Sequence, residues 1–301
     1  MSGNDVHPDL RRIAVVTPRQ LVGPRTLPLV RALTAVMGRR TSRTPADIEV
    51  LTLESGVGVR LYRPAGVTEP TPALLWIHGG GYVMGTAQSD DRLCRQFSSR
   101  LGITVASVEY RLAPEHPYPA PLEDCYSAMT WLAGLPAVDR ARVAIGGASA
   151  GGGLAAALAL LARDRGDVAP AFQLLVYPML DDRSSMAPAA NPHYRLWNAR
   201  SNRFGWTAYL GDADPGVAVP GRRDDLAGLP PAWIGVGTND LFYDEDLAYA
   251  KRLTGAGVPC QVEVVEGAFH GFDLVAPNVA LSQRFFTSQC DSLRAALAPP
   301  G

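Results

Sequence analysis

The chain has 301 residues, 47% of them apolar, and a formal net charge of −1 with its five histidines neutral. That length suits one large α/β domain carrying an insertion, and the apolar share can fill a sizeable core. A balance so close to neutral argues against nucleic acid or an anionic membrane surface as a partner.

The first ten residues, Met1 to Leu10, show neither a basic start nor an apolar run, so a signal peptide is not expected. Residues 1–45 carry no strand pattern, and Pro18, Pro24 and Pro28 divide them. Leu27, Val30, Leu33, Val36 and Met37 recur at helical spacing and predict a short amphipathic helix. The richness in Leu and Val favours a segment lying over a site rather than a loose tail. Two β-rich runs follow, Ile48 to Leu53 and Val57 to Tyr62, joined by Ser55-Gly56, which predicts an antiparallel hairpin.

A buried strand, Ala73 to Ile77, runs directly into His78-Gly79-Gly80-Gly81-Tyr82. A helix from about Asp90 to Leu101 is next, then a strand from Ile103 to Val108 and a helix from about Leu122 to Leu132. The strand Arg142 to Ile145 leads through Gly146-Gly147-Ala148-Ser149-Ala150-Gly151-Gly152-Gly153 into an Ala/Leu helix, Leu154 to Leu161. The longest apolar run, Leu154 to Ala162, is about half of what a membrane-spanning helix needs. After a strand at Phe172 to Tyr177, the β/α rhythm stops between Asp181 and about Leu229, too long a stretch for a simple loop, so helices are expected within it. The rhythm resumes with a strand at Trp233 to Gly237, a helix at Asp244 to Gly255, a strand at Cys260 to Val265 and a last helix at Val279 to Leu297.

Alternation of this kind predicts a mainly parallel, mixed sheet of about eight strands with helices on both faces. Ligands of such sheets bind at the carboxyl ends of the strands. Gly147, Ser149 and Gly151 fit G-x-S-x-G, which sets a serine on a tight strand-to-helix turn. The same small residues could serve close packing alone. The run is neither a P-loop, since no Lys-Ser or Lys-Thr follows the glycines, nor a G-x-G-x-x-G fingerprint.

A serine nucleophile needs a base. His7 lies in the N-terminal segment, His193 in the insertion and His116 in a Pro-rich turn, while His78 is better placed to anchor its glycine loop. His270, just after the last strand, is the expected base. Asp240, ending another strand, is the expected acid, with Asp244 as runner-up; Asp244, Glu245 and Asp246 also read as first-turn acids of a helix. The order Ser149, Asp240, His270 is that of an α/β-hydrolase triad. Amides of Gly80, Gly81 and Ala150, with Gly79 as a further candidate, are the expected oxyanion donors. Tyr82, Leu196, Trp197, Phe204 and Trp206 either wall a substrate pocket or pack a small subdomain and the oxyanion loop. The cysteines Cys94, Cys125, Cys260 and Cys290 show neither C-x-x-C nor zinc spacing, so free thiols and a cytoplasmic setting are expected, with one disulfide left open.

These motifs resemble the bacterial hormone-sensitive-lipase-like esterases of the α/β-hydrolase superfamily. The match runs through His-Gly-Gly-Gly at His78 to Gly81, Tyr-Arg-Leu-Ala-Pro-Glu at Tyr110 to Glu115, the serine motif, the acid, and His-Gly-Phe at His270 to Phe272. The resemblance implies a core of residues 46–180 and 230–301, and a helical cap built from residues 1–45 and 181–229. It also implies hydrolysis of short- to medium-chain acyl esters without cofactor or metal, and often a homodimer. Two positions depart from the family: Ala148 stands where Asp or Thr is common, and Leu241 where Pro is frequent. The same triad would also suit an amidase, lactonase, deacetylase or acyltransferase, and the fold can carry a non-catalytic ligand receptor.

Overall fold

A computed structural model of the chain describes residues 6–20, 22–40, 47–67, 70–186 and 191–299, with the backbone alone at 34–40 and 185–186. Eight strands form one sheet: β1 (Ile48–Thr52), β2 (Gly58–Tyr62), β3 (Thr71–Ile77), β4 (Thr104–Glu109), β5 (Val138–Ala148), β6 (Phe172–Val176), β7 (Ala232–Asn239) and β8 (Cys260–Phe269). Their order across the sheet is β1-β2-β4-β3-β5-β6-β7-β8. β2 runs antiparallel to both neighbours, and every pairing from β4 onward is parallel. The opening hairpin turns where expected: the amide of Gly56 donates to Leu53 O (2.8 Å) and that of Leu53 to Val57 O (2.9 Å).

The helices are α1 (Arg11–Val16), α2 (Leu27–Arg40), α3 (Asp91–Leu101), α4 (Ala120–Ala133), α5 (Ala150–Arg165), α6 (Ala199–Leu210), α7 (Pro215–Ala218), α8 (Tyr243–Gly255), α9 (Phe272–Val275) and α10 (Ala280–Ala296). Alternation along β3 sorts them into two layers. Leu75 and Ile77 pack with Met129 of α4, Leu158 of α5 and Leu253 of α8. Leu74 and Trp76 face the other way, onto Phe97 of α3 and Phe285 of α10. The sheet is thus covered on both faces, as its near-continuous apolar strands require.

Of the boundaries that differ from the sequence expectation, two have a direct bearing on the site. α5 begins at Ala150, so Gly151 to Gly153 belong to its first turn. Helix propensity disfavours glycine there; close approach to the sheet demands it. β8 runs on to Phe269, four residues past the expected end, which puts His270 at the tip of a strand.

The described residues before β1 are tied down by hydrogen bonds to the insertion and the core. Arg195 Nε donates to Ala14 O (2.6 Å), the Leu196 amide to Pro18 O (2.7 Å), Asn198 Nδ2 to Arg19 O (3.0 Å) and Ser201 Oγ to Val22 O (2.7 Å). Arg31 then reaches Val83 O, Ala113 O and, bidentately, Glu115. The insertion contains helical turns at Asp182–Met186 and Pro220–Arg222 besides α6 and α7. Among the described residues no helix is long and apolar enough to cross a membrane.

Candidate active site

At the end of β5, Ser149 caps α5 with φ 58° and ψ −121°. A non-glycine residue there carries strain on the order of 1–3 kcal/mol unless its surroundings fix it. Three main-chain bonds do so: Ser149 N–H donates to Val176 O (2.9 Å), and Ser149 O accepts from Gly153 N and Met179 N (both 3.0 Å). The turn also needs a bare backbone two residues on. A Cβ at Gly151 would overlap the carbonyl oxygen of Ile77 on the neighbouring strand.

β7 and β8 deliver the other two groups. His270 Nε2 stands 2.9 Å from Ser149 Oγ, and His270 Nδ1 2.8 Å from Asp240 Oδ2. A carboxylate accepts, so Nδ1 carries the ring proton and Nε2 is left as the acceptor for the serine hydroxyl. Asp240 is held in turn by the Phe242 amide, which donates to Oδ1 (3.0 Å). The rings of Phe242 and Tyr177 meet the imidazole edge to face, at 5.1 and 4.8 Å between centroids. All three members are buried, whereas Asp244 is exposed. Its neighbours Glu245 and Asp246 are buried as well, so they are not solvated first-turn acids. Glu245 Oε1 accepts from the amides of Leu180 (2.7 Å) and Asp181 (3.1 Å) and fixes the start of the insertion.

Across from the imidazole, β3 ends in the glycine run. Gly81 has φ 60°, and a Cβ on it would overlap the Trp197 indole. Among the described residues, the amides of Gly80 and Gly81 donate to no backbone carbonyl. The amide of Ala150, first in α5, has no acceptor within its helix. His78 anchors this loop. Burial pushes its pKa down to about 4, its ring stacks on Tyr110 at 4.2 Å, and Nδ1 donates to Gly79 O (2.8 Å).

These parts enclose a cavity of about 210 Å³ lined by Gly79, Gly80, Gly81, Ser149, His270, Leu196 and Trp197, among others. Tyr82, Phe204 and Trp206 do not line it. Tyr82 stacks on Tyr209 at 4.1 Å, meets Trp206 at 5.1 Å and donates its hydroxyl to Met179 O (3.1 Å). Phe204 packs half-buried against the same core. Their packing reading, not the pocket reading, describes their surroundings.

Sequence reasoning overlooked the cavity's other wall, where Trp76, Asp90, Asp273 and Gln289 converge. Trp76 Nε1 donates to Asp90 Oδ2 (2.7 Å), and Tyr177 Oη to Asp273 Oδ1 (2.8 Å). The position of Asp273, three residues after His270, was the available signal; nothing local marks Asp90 beyond the start of a helix. All four cysteines are free. Among the described residues no group of three His, Cys, Asp or Glu side chains could hold a metal ion.

Fold and site together define an α/β hydrolase, and the chain belongs to that family: its profile, described as alpha/beta hydrolase fold, matches residues 74–274. Within it the chain falls among the hormone-sensitive-lipase-like esterases, as its motifs lead one to expect. It is 39% identical over 226 residues to the esterase LipI of Mycobacterium tuberculosis, a match spanning 72% of this chain and 71% of that protein. Among solved structures it resembles a bacterial heroin esterase with a TM-score of 0.89 at 36% identity, covering 99% of this chain and 100% of that one. It also resembles the esterase LipW of Mycobacterium marinum, with a TM-score of 0.87 at 37% identity and coverage of 99% and 98%.

Proposed function

We propose that the protein is a carboxylesterase acting on short- to medium-chain acyl esters through Ser149, His270 and Asp240. The observation that carries this reading is the unbroken chain Asp240–His270–Ser149, with both hydrogen bonds under 3 Å and the serine facing a cavity. Relatives named esterases and carboxylic ester hydrolases support it.

In the first step Ser149 Oγ attacks the ester carbonyl while His270 Nε2 takes its proton. The tetrahedral oxyanion is held by the amides of Gly80, Gly81 and Ala150, each such donor being worth about 3 kcal/mol. Gly79 is a further donor candidate. The imidazolium, steadied by Asp240, gives its proton to the leaving alcohol. Water then repeats the cycle on the acyl-enzyme and frees the acid. A cavity of about 210 Å³ lies below the ~300–1,000 Å³ of sites for drug-sized ligands, which supports a small ester. Residues 1–45 and 181–229 form the cap in this reading, with Leu196 and Trp197 as its contribution to the pocket wall. Four free thiols support a reducing, cytoplasmic setting.

The test is hydrolysis of p-nitrophenyl esters from acetate to palmitate by the unmodified protein and by Ser149→Ala. A rate peaking at short chains and lost in the variant is expected. Turnover persisting at the unmodified level in Ser149→Ala would overturn the assignment.

A further inference from the structure

One residue of the cavity wall is bent against its own preference. Leu196, in the insertion, has φ 63°, a left-handed conformation that glycine adopts freely and leucine only under constraint. Trp197 N–H donates back to Arg195 O (2.7 Å), which closes a three-residue turn with Leu196 at its centre. The constraint is visible on both sides of that turn. Before it, Arg195 donates Nε to Ala14 O (2.6 Å) and Nη1 to Pro192 O (2.9 Å) and Tyr194 O (2.8 Å). After it, Asn198 Oδ1 accepts from the amides of Arg200 and Ser201 (both 3.0 Å), and Trp197 Nε1 donates to Asn202 Oδ1 (3.1 Å). The Leu196 amide itself donates to Pro18 O (2.7 Å). Strain that the surroundings over-determine in this way clusters at catalytic and binding sites.

The turn bridges the cavity. At one end, the Trp197 indole occupies the space a Cβ on Gly81 would need. At the other, Leu196 Cδ1 lies 3.0 Å from where a Cβ on Gly271 would stand, and Gly271 directly follows His270. Leu196, Trp197, Gly81, His270 and Gly271 all line the same cavity. Two adjacent residues thus straddle the reacting centre, Trp197 on the side of the glycine loop and Leu196 on the side of the imidazole.

The two sides receive different parts of an ester. The oxyanion of the tetrahedral adduct points to the amide donors, and the leaving oxygen points to the imidazole that must protonate it. The alcohol part therefore passes beside Leu196, whose isobutyl group fills room that substituents on the alcohol carbon would need. We propose that Leu196 is a specificity-determining residue: held beside His270 and Gly271 by the strained turn, it makes the site select esters of slim primary alcohols over esters of bulkier secondary alcohols. This inference rests on the carboxylesterase reading. Alanine in the same turn would open the space and keep the strain, whereas glycine would open the space and release it.

The experiment measures kcat/KM for ethyl acetate, cyclohexyl acetate and ethyl butyrate in the unmodified protein, Leu196→Ala and Leu196→Gly. The cyclohexyl-to-ethyl ratio among the acetates reads the alcohol side, and the butyrate-to-acetate ratio among the ethyl esters reads the acyl side. The unmodified protein is expected to favour ethyl over cyclohexyl acetate; in both variants the alcohol ratio should rise about tenfold or more while the acyl ratio moves less than about threefold. Thermal unfolding of Leu196→Gly should lie roughly 1–3 °C above that of Leu196→Ala, because glycine relieves the left-handed backbone. An alcohol ratio unmoved in both variants overturns the proposal. So does an equal movement of both ratios, which would mean a loosened cavity rather than an alcohol filter. A ratio that moves in Leu196→Gly alone assigns the effect to backbone mobility and overturns it too, and Leu196→Gly unfolding below Leu196→Ala removes the strain on which it stands. Ethyl acetate hydrolysis in Ser149→Ala reads the esterase assignment separately. Turnover that depends on Ser149 with an unmoved alcohol ratio would keep the esterase and remove the filter, whereas turnover independent of Ser149 would remove the esterase and the filter with it.

Discussion

The two walls of the cavity are made of different material. The wall beside the nucleophile is backbone: the amides of Gly80, Gly81 and Ala150, a strained main chain at Ser149, and one histidine held neutral by burial. The wall beside His270 is side chain: Trp76, Asp90, Tyr177, Asp273 and Gln289, drawn from β3, the turn before α3, the turn after β6, α9 and α10. In the proposed mechanism the first serves every ester alike, since each presents the same oxyanion, so substitutions on the two walls should fail in different ways.

The largest effect belongs to Ser149→Ala, which removes the proposed nucleophile: kcat/KM should drop roughly 10⁴-fold or more for every ester. Next comes Gly81→Ala. Its methyl group must displace the Trp197 indole and strain a φ of 60°, moving a proposed oxyanion donor. We expect kcat lower by about 10²–10³-fold, with KM changed far less; an unchanged kcat would remove Gly81 from the oxyanion hole.

A smaller effect, visible by titration, sharpens the same contrast. Asp90 faces Asp91 and Cys94 on α3, Asp273 on α9, Tyr110 after β4 and Tyr177 after β6, none of them cationic. Its pKa is about 6 in the folded chain against an ordinary 3.8. The fold therefore binds its proton more tightly than the unfolded chain, and its burden on stability grows as pH rises through about 4 to 6 and stays constant above. Thermal unfolding of Asp90→Asn compared with the original protein at pH 4 and pH 8 should show the variant relatively more stable at pH 8, by ~2 kcal/mol. Equal stability differences at both pH values would place the Asp90 pKa near its ordinary value.

The backbone wall was almost wholly legible in the sequence, and the side-chain wall was not. Glycine beside a nucleophile is a steric necessity, so Gly79 to Gly81 and Gly147 to Gly153 stand out as words do in a text. The order Ser149, Asp240, His270 at strand ends likewise follows from where a parallel sheet presents its loops. Asp90 and Gln289 carry no such mark. Asp90 closes a short turn ahead of α3 and Gln289 lies on α10, among polar neighbours that all look alike until the fold decides which one turns towards the cavity. The aromatic residues show the same limit: Trp197 and Trp206 lie nine positions apart in one insertion, yet one lines the cavity and the other packs on Tyr82. Periodicity predicts burial for both and cannot say against what.

One consequence of the N-terminal contacts concerns inheritance rather than chemistry. The four bonds that tie residues 14–22 to residues 195–201 all end on carbonyl oxygens of the earlier segment, while every donor comes from the later one. A carbonyl is common to all twenty amino acids. The main chain of the leading segment is thus grasped in register whatever its exposed side chains are, while Leu10, Ala14 and Val22 stay tied to the core and Arg195, Asn198 and Ser201 cannot change without loosening the grip. Lineages diverging from this chain should vary exposed positions of that segment, such as Val15 and Val16, sooner than the residues that grasp it.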